Sequence, residues 1–373
     1  MNRFQIVISS ILFLLLSLTD SLPAQTIIPK PDHIVIVILE NHGFNQIIGS
    51  SAAPYINSLA NDTASALFTG SYGITHPSQP NYLALYSGNT QGITGDAIPS
   101  GNSFTTPNLG NQLINSGKTF VTYSEDLPVA GFNGEIAGYY ARKHNPVTNW
   151  MGNGINQVSQ ATNQPFTAFP TDFNFLPTVC FVVPNLQNDM HNGTDPARIT
   201  IGDAWISNHL NNYIQWAKTN NSLFILTFDE DDNSATNQIA TIMTGQLIVP
   251  GDYSTRINHF SILHTIEKMY GLPYIGDSVI SAPINLSWKT NLPSNSLSGE
   301  LIYPIPAKDS FYIIQSDYKD AKTEIFNLKG ELIQVLPLVS VKTYVDIQNL
   351  RSGIYLVKIT TKGGMMVRKL IKS

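Results

Sequence analysis

The stretch that most restricts what this chain can fold into is His33-Ile34-Val35-Ile36-Val37-Ile38-Leu39-Glu40-Asn41. Its unbroken apolar run, Ile34 to Leu39, is far too short to span a membrane and too β-branched to favour a helix. Apolar residues without alternation describe a strand buried on both faces, as in a parallel sheet covered by helices. The strand then delivers a carboxylate and an amide side by side, Glu40 and Asn41, with Gly43 just beyond. In open α/β sheets ligands sit at the carboxyl ends of the strands. Taken alone, the pair fits a solvated turn better than a site; a recurrence of the pattern reverses that.

It recurs twice. Thr178-Val179-Cys180-Phe181-Val182-Val183 leads to Asn188-Asp189-Met190-His191, and Ser222-Leu223-Phe224-Ile225-Leu226-Thr227-Phe228 leads to Asp229-Glu230-Asp231-Asp232. Between them, Asp203 to Lys218 places Ile206, Leu210, Tyr213, Ile214 and Ala217 on one helical face. Strand, helix, strand predicts a right-handed parallel crossover. Three buried strands therefore release acidic or imidazole side chains at one sheet edge. Glu40, Asp229 and Glu230 brought together need a compensating cation. Hard oxygen ligands, an amide and no cysteine point to one divalent metal, of the magnesium, calcium or manganese type before zinc. Asp231 and Asp232 are expected to be solvated turn residues.

The second candidate region is His76-Pro77-Ser78-Gln79-Pro80-Asn81-Tyr82, where Pro77 keeps His76 extended and a helix follows as far as Gly88. Ser78 is either the cap of that helix or a nucleophile beside an anion held at the helix start. No Gly-x-Ser-x-Gly elbow surrounds it. Further helices are expected at Pro54–Asp62, Pro107–Ser116 and from Asn258 to Gly271, the last with His259 at its start. Strands are expected at Lys118–Tyr123 and Gln246–Pro250, and residues 131–177 form a long Asn/Gly/Pro-rich region that carries Arg142-Lys143-His144.

Composition bounds the rest. The single cysteine, Cys180, excludes an intramolecular disulfide and a cysteine metal cluster, and its apolar surroundings make it a core residue. The net charge of -5 is uneven: residues 1–300 carry 10 Lys/Arg against 20 Asp/Glu, and residues 301–373 carry 11 against 6. The basic tail charge is spread along expected strands, which argues against nucleic acid as a partner. Residues 1–24 read as a secretory signal peptide, with Arg3 ahead of a leucine-rich stretch and Leu22-Pro23-Ala24 as the exit. That stretch is shorter than the ~20 residues of a spanning helix, so no stable membrane span is expected. From Trp288 to Gly299 the composition turns to Asn, Ser, Pro and Gly, a linker. Beyond it, short alternating strands between Phe311 and Ile371 describe a small β-sandwich without catalytic residue types.

Six motifs in order, Leu39-Glu40-Asn41-His42, Thr75-His76-Pro77-Ser78-Gln79-Pro80-Asn81-Tyr82, Arg142-Lys143-His144-Asn145-Pro146, Asn188-Asp189-Met190-His191, Phe228-Asp229-Glu230-Asp231-Asp232 and His259-Phe260-Ser261-Ile262-Leu263, resemble the phosphoesterase family across about residues 32–285. That family contains bacterial acid phosphatases and phospholipases C and is similar in fold to alkaline phosphatase. The resemblance implies an α/β domain over residues 25–287, a sheet of mostly parallel strands covered by helices, then a linker at 288–300 and a β-sandwich at 301–373. It implies that Glu40, Asn41, Ser78, Asp229 and Glu230 surround a divalent metal and that Ser78 is the nucleophile. His144, Asp189 and His191 would line the phosphate pocket, with His191 and His144 catalytic and Asn81, Lys143, Asp189 and His259 binding substrate. Glu230 stands where some members carry Asp.

The tail, with Tyr303-Pro304-Ile305-Pro306-Ala307, Leu350-Arg351-Ser352-Gly353-Ile354-Tyr355 and the ending Lys369-Leu370-Ile371-Lys372, resembles the C-terminal sorting domain of type IX secretion cargo, although Ile305 replaces the more usual Asn. It implies the type IX secretion machinery as a partner and a secreted or cell-surface location. The expected function is a secreted, metal-dependent acid phosphatase working through a phosphoserine on a phosphorylated small molecule or lipid. A phospholipase C acting on phosphodiesters is the alternative, and a non-catalytic surface-binding protein is the reading of another class.

Overall fold

A computed structural model describes residues 28–100, 103–284, 288–289, 301–314, 318–361 and 364–373. The expected signal peptide lies outside the described residues, as does most of the expected linker. The chain divides into two compact units, Met1–Thr290 and Asn291–Ser373.

The first unit runs β1 (His33–Leu39), α1 (Pro54–Ala60), β2 (Ser65–Tyr72), α2 (Ser78–Ser87), α3 (Leu109–Asn115), β3 (Phe120–Ser124), β4 (Asn163–Pro165), β5 (Val179–Val183), α4 (Ala197–Ala217), β6 (Ser222–Phe228), β7 (Gln238–Thr244), β8 (Gly251–Tyr253), β9 (Ile257–Asn258) and α5 (His259–Tyr270). One sheet orders them β8-β2-β7-β6-β1-β5-β3-β4, with β9 added beside β2. Among the described strands of this sheet only β7 runs against the others, antiparallel to both β6 and β2.

β1 shows why the sheet is covered on both faces. Successive side chains point to opposite sides, so Ile34, Ile36 and Ile38 pack into one core with Leu83 and Leu85 of α2 and Ile262 and Ile266 of α5. Val35, Val37 and Leu39 pack into the other with Ile56 of α1 and Ile206, Leu210 and Ile214 of α4. Each such buried aliphatic side chain contributes roughly 1.5–3 kcal/mol. β1 lies between β5 and β6 and is parallel to both, with Ile36 opposite Phe181 and Ile225. The expected crossover from β5 through α4 to β6 is present. The helix begins six residues earlier than its apolar face suggests, at Ala197, and Asp203 lies inside it, turned towards α1, where it accepts the Tyr55 and Ile56 N–H groups at 3.0 and 2.8 Å.

Five strands of this sheet, β2, β4, β7, β8 and β9, are absent from the sequence reading. β2 and β7 look polar, yet their hydroxyls are buried and pair across strands: Ser65 with Thr244 and Ser71 with Thr241 at 2.7 Å, and Thr241 with Thr227 of β6 at 2.8 Å. The strand expected at Gln246–Pro250 is instead a turn, from which Ile248 bridges to Trp288. Trp288 is buried, so the first unit continues at least that far.

The second unit contains a three-stranded antiparallel sheet (Leu301–Tyr303, Ser310–Ile314, Lys342–Asp346) and a four-stranded one (Leu332–Pro337, Lys322–Asn327, Gly353–Thr361, Gly364–Lys372). Phe311, Ile313 and Val345 from the first meet Ile325, Val357, Ile359 and Leu370 from the second in one core. This is the expected small β-sandwich. Among the described residues no helix is long and apolar enough to cross a membrane.

Candidate active site

The neighbouring strands β6, β1 and β5 end side by side, and their exits are stitched together. Asp229 N–H donates to Leu39 O at 3.0 Å, Glu40 N–H to Asp189 O at 2.7 Å, and Asn41 N–H to Asp229 Oδ1 at 3.0 Å. Asn41 has φ of 45°, a left-handed conformation that Asn tolerates better than most residues. From there its amide reaches towards Glu230 Oε1, with Nδ2 donating at 3.3 Å. The acidic run after β6 forms the connection to antiparallel β7, which keeps Asp229 and Glu230 at the carboxyl edge.

Ser78 does not cap its helix. It is the first residue of α2, follows an N-cap Pro77 that offers no side-chain acceptor, and is buried. Its Oγ lies 2.8 Å from Glu40 Oε2, 3.3 Å from Asn41 Oδ1 and 3.3 Å from Glu230 Oε1. One hydroxyl proton thus faces three acceptor oxygens. Tyr82, one turn along α2, donates its hydroxyl to the other oxygen of Glu40 at 2.5 Å. His76 Nδ1 bonds to Glu230 Oε2.

The electrostatics follow from that crowding. Burial raises the pKa of Glu40, partly offset by His144. Burial and then the charges of Glu40 and Glu230 push Asp229 well up. Glu230 is raised to about 7 by burial, against the hydrogen bond from His76. Three carboxylates all made harder to ionise mark a shortage of positive charge. In addition, Asp229 Oδ2 is buried without a hydrogen-bond partner, an acceptor that a cation would satisfy. Among the described residues no three His, Cys, Asp or Glu side chains by themselves close on a common point. The converging oxygens include the Asn41 amide and the Ser78 hydroxyl, so the donor set is mixed and all oxygen. That chemistry fits a hard divalent ion.

On the other flank, Asp189 Oδ1 accepts the His191 N–H at 2.8 Å, and its Oδ2 lies 3.0 Å from His144 Nδ1. His144 is buried and stacked on Tyr82, its Nε2 3.1 Å from Glu40 Oε1 but without hydrogen-bond geometry. Burial pushes His144 down to about 4 and Asp189 up to about 7. His144 is therefore held by Asp189 and Tyr82 and lies beside Glu40 with its Nε2 unpaired. His191 is only half-buried, with Nε2 3.4 Å from Lys143 Nζ. Burial alone would lower the Lys143 ammonium, but Glu40 and Asp96 outweigh it and hold it up.

Two sequence candidates are occupied elsewhere. Asn81 Oδ1 accepts the Ile74 and Thr75 N–H groups at 2.9 and 3.1 Å, so it shapes the 74–77 loop. His259 is buried behind the acidic pair, with Nε2 2.6 Å from Asp229 O, and burial lowers it to about 4. Asp232 is exposed as expected, but Asp231 is buried and accepts the Ser234 N–H at 2.8 Å. Sequence reasoning missed the roles of His76 and Tyr82, although both stand in the quoted Ser78 motif. It also missed Asp96, which binds Lys143 at 2.8 Å and accepts the Gln79 N–H at 3.0 Å. The apolar cavity of about 240 Å³ lined by Phe68, Tyr253, Ile257 and Ile284 shares no residue with this site.

The site is thus a buried serine at a helix start, ringed by carboxylates at the carboxyl edge of an α/β sheet, and its family and relatives make the protein a phosphoric ester hydrolase. The chain belongs to the phosphoesterase family, whose family model matches residues 50–273. That match is narrower than the resemblance at 32–285, and Glu40 and Asn41 lie ahead of it. A phosphatidylinositol-3-phosphatase of Mycobacterium tuberculosis is 45% identical over 267 residues, which is 71% of this chain and 85% of that protein. A phosphate-repressible acid phosphatase of Penicillium chrysogenum is 32% identical over 265 residues, 66% of this chain and 60% of that protein. A solved alkaline phosphatase superfamily protein from Vibrio parahaemolyticus overlays with a TM-score of 0.46 at 13% identity, covering 86% of this chain and 80% of that one. A secretion system C-terminal sorting domain matches residues 301–373, which makes this an exported protein, secreted or at the cell surface.

Proposed function

We propose that the protein is a metal-dependent acid phosphatase that cleaves phosphate monoesters through a phosphoserine. The observation that carries this reading is the Ser78 hydroxyl, released from capping and held 2.8 Å from Glu40 Oε2. A divalent ion held by Glu40, Asn41, Ser78, Asp229 and Glu230 would neutralise charge on the phosphoryl oxygens and favour the ionised serine.

The chain's own residues do the rest. Glu40 Oε2 is placed to take the Ser78 proton as Oγ attacks phosphorus, so that the Oγ–P bond forms while the bond to the leaving oxygen breaks. Tyr82 holds Glu40 for that task, with His144 Nε2 beside the same carboxylate at 3.1 Å. Lys143, fixed by Asp96, faces the incoming phosphate as a positive charge. His191, half-buried and beside Lys143, gives a proton to the leaving oxygen and takes one from the water that then hydrolyses the phosphoserine. Relatives named as phosphatases favour the monoester over the phospholipase C alternative. The test is phosphate release from p-nitrophenyl phosphate between about pH 4 and about pH 9, with and without chelator. Turnover that is lost with chelator and restored by one divalent ion supports the proposal. A folded protein inert on this monoester but active on phosphodiester lipids overturns it.

A further inference from the structure

The pocket beside Ser78 contains a guanidinium that the chemistry above does not use. Arg198 lies in the first turn of α4, where its Nε donates to Asp195 Oδ1 at 2.6 Å and its Nη1 to His191 O at 3.4 Å. Asp195 is itself anchored, with His42 Nε2 3.0 Å from the same oxygen. His42 is completely buried, and its Nδ1 lies 2.7 Å from the Glu40 carbonyl oxygen. The guanidinium is thus aimed by a chain of contacts rooted at the strand end that carries Glu40. Among the described residues Asp195 is its one carboxylate partner, and Nη2 has none.

That restraint is informative, because Arg198 shares its pocket with Glu230. The pocket, about 360 Å³, is lined by Asn41, His76, Pro77, Arg198, Glu230 and Asn233, and Asn41 and Glu230 both reach Ser78 Oγ. The two other acidic residues on its wall are engaged, Asp231 by Ser234 and Asp232 by Gln46. A volume of this size is within the range of small-molecule sites. A guanidinium with a free edge is the side chain best shaped to take a phosphate.

We propose that Arg198 is a specificity-determining residue that binds a second phosphate of the substrate, so that the preferred substrates carry one phosphate at Ser78 and another at Arg198. This rests on the phosphatase reading, which p-nitrophenyl phosphate turnover by the unaltered chain checks separately. The experiment compares kcat/KM for inositol monophosphate and inositol bisphosphate in the full chain, in Arg198→Gln and in Arg198→Lys, with thermal melting to verify folding. The unaltered chain should favour the bisphosphate by roughly tenfold or more, chiefly through KM. Arg198→Gln should bring that ratio close to one, and Arg198→Lys should retain part of it. No preference in the unaltered chain overturns the proposal. So does an equal loss on both substrates in Arg198→Gln, which would reduce Arg198 to a support for Asp195 and His42. Should p-nitrophenyl phosphate not be hydrolysed at all, calorimetric binding of inositol bisphosphate still decides: weaker binding by Arg198→Gln upholds the subsite and equal binding removes it.

Discussion

Two helices begin beside the acidic pair Asp229-Glu230, and their first turns are put to opposite uses. α5 closes its own start: Asn258 Oδ1 accepts the Ser261 N–H at 3.1 Å, and Ser261 Oγ accepts the Asn258 N–H at 3.3 Å. Its first residue, His259, is buried against the Asp229 carbonyl. α2 leaves its start open to the site. Pro77 provides no cap, Pro80 has no N–H to satisfy, and the Gln79 N–H is taken by Asp96 from outside the helix. Ser78 turns its hydroxyl away from the helix and into the carboxylates. Capping and nucleophilic attack compete for the same serine oxygen, so a first-turn serine that declines to cap marks a functional start, and a closed capping box marks a structural one.

The largest effect that would sharpen this contrast is Ser78→Ala. It should lower turnover of p-nitrophenyl phosphate by roughly ten thousand-fold or more, while the melting temperature stays close to that of the unaltered chain. Turnover that survived in folded protein would make α2 as structural as α5. Removal of divalent ions comes next. Dialysis against chelator should reduce turnover at least about a hundredfold. It should also lower the melting temperature, since an ion present at 100 times its Kd stabilises by about 2.7 kcal/mol. Full activity in protein shown by elemental analysis to be metal-free would end the cation reading.

The open side of the comparison was the more legible in the sequence. β1 and β5 are built on unbroken apolar runs and β6 on one interrupted only by Thr227, a pattern that a strand buried on both faces explains, and each is followed within a few residues by the side chains it delivers. Glu40, Asp189 and Asp229 could therefore be assigned to one edge without coordinates. What stayed hidden depends on distance along the chain. Asp96 meets Lys143 across 47 positions, out of a loop with no pattern of its own. β2 and β7 were hidden because paired hydroxyls let Ser and Thr sit in a core. Asn81 and His259 sit in the right motifs, but the Asn81 amide and His259 Nε2 go to backbone groups, which spacing does not reveal.

Glu267 tests whether α5 is structural along its whole length. Its carboxylate is buried and accepts the Ile275 N–H at 3.1 Å and the Ser278 hydroxyl at 2.7 Å, and burial raises it from its ordinary 4.5 to about 7. Between those values the folded chain keeps a proton that the unfolded chain has released. This contribution to stability is therefore complete below about pH 4.5 and lost as pH rises to about 7. Its size is on the order of 2–3 kcal/mol. Glu267→Gln cannot titrate, so denaturant melts at pH 5 and pH 8 should differ less in the variant than in the unaltered chain by about that amount. An unchanged pH dependence would show that the carboxyl is ionised in the fold and that the far end of α5 is not as dry as its packing indicates.

The smallest effect is the most pointed. Asn258→Ala removes the acceptor of the Ser261 N–H and should cost about 1 kcal/mol, a fall in melting temperature of about 2–4 °C for a unit of this size. The loss should stay that small because α5 is held chiefly by Ile262, Leu263, Ile266 and Met269, all buried in the core that it shares with β1. Catalysis should change by less than about twofold, since Asn258 has no contact with Ser78 or with the acidic ring. A larger loss of turnover with normal melting would mean that the start of α5 holds Asp229 in register through His259. In that case the capping box would itself serve the site, and the two helix starts would differ only in which atoms face the substrate.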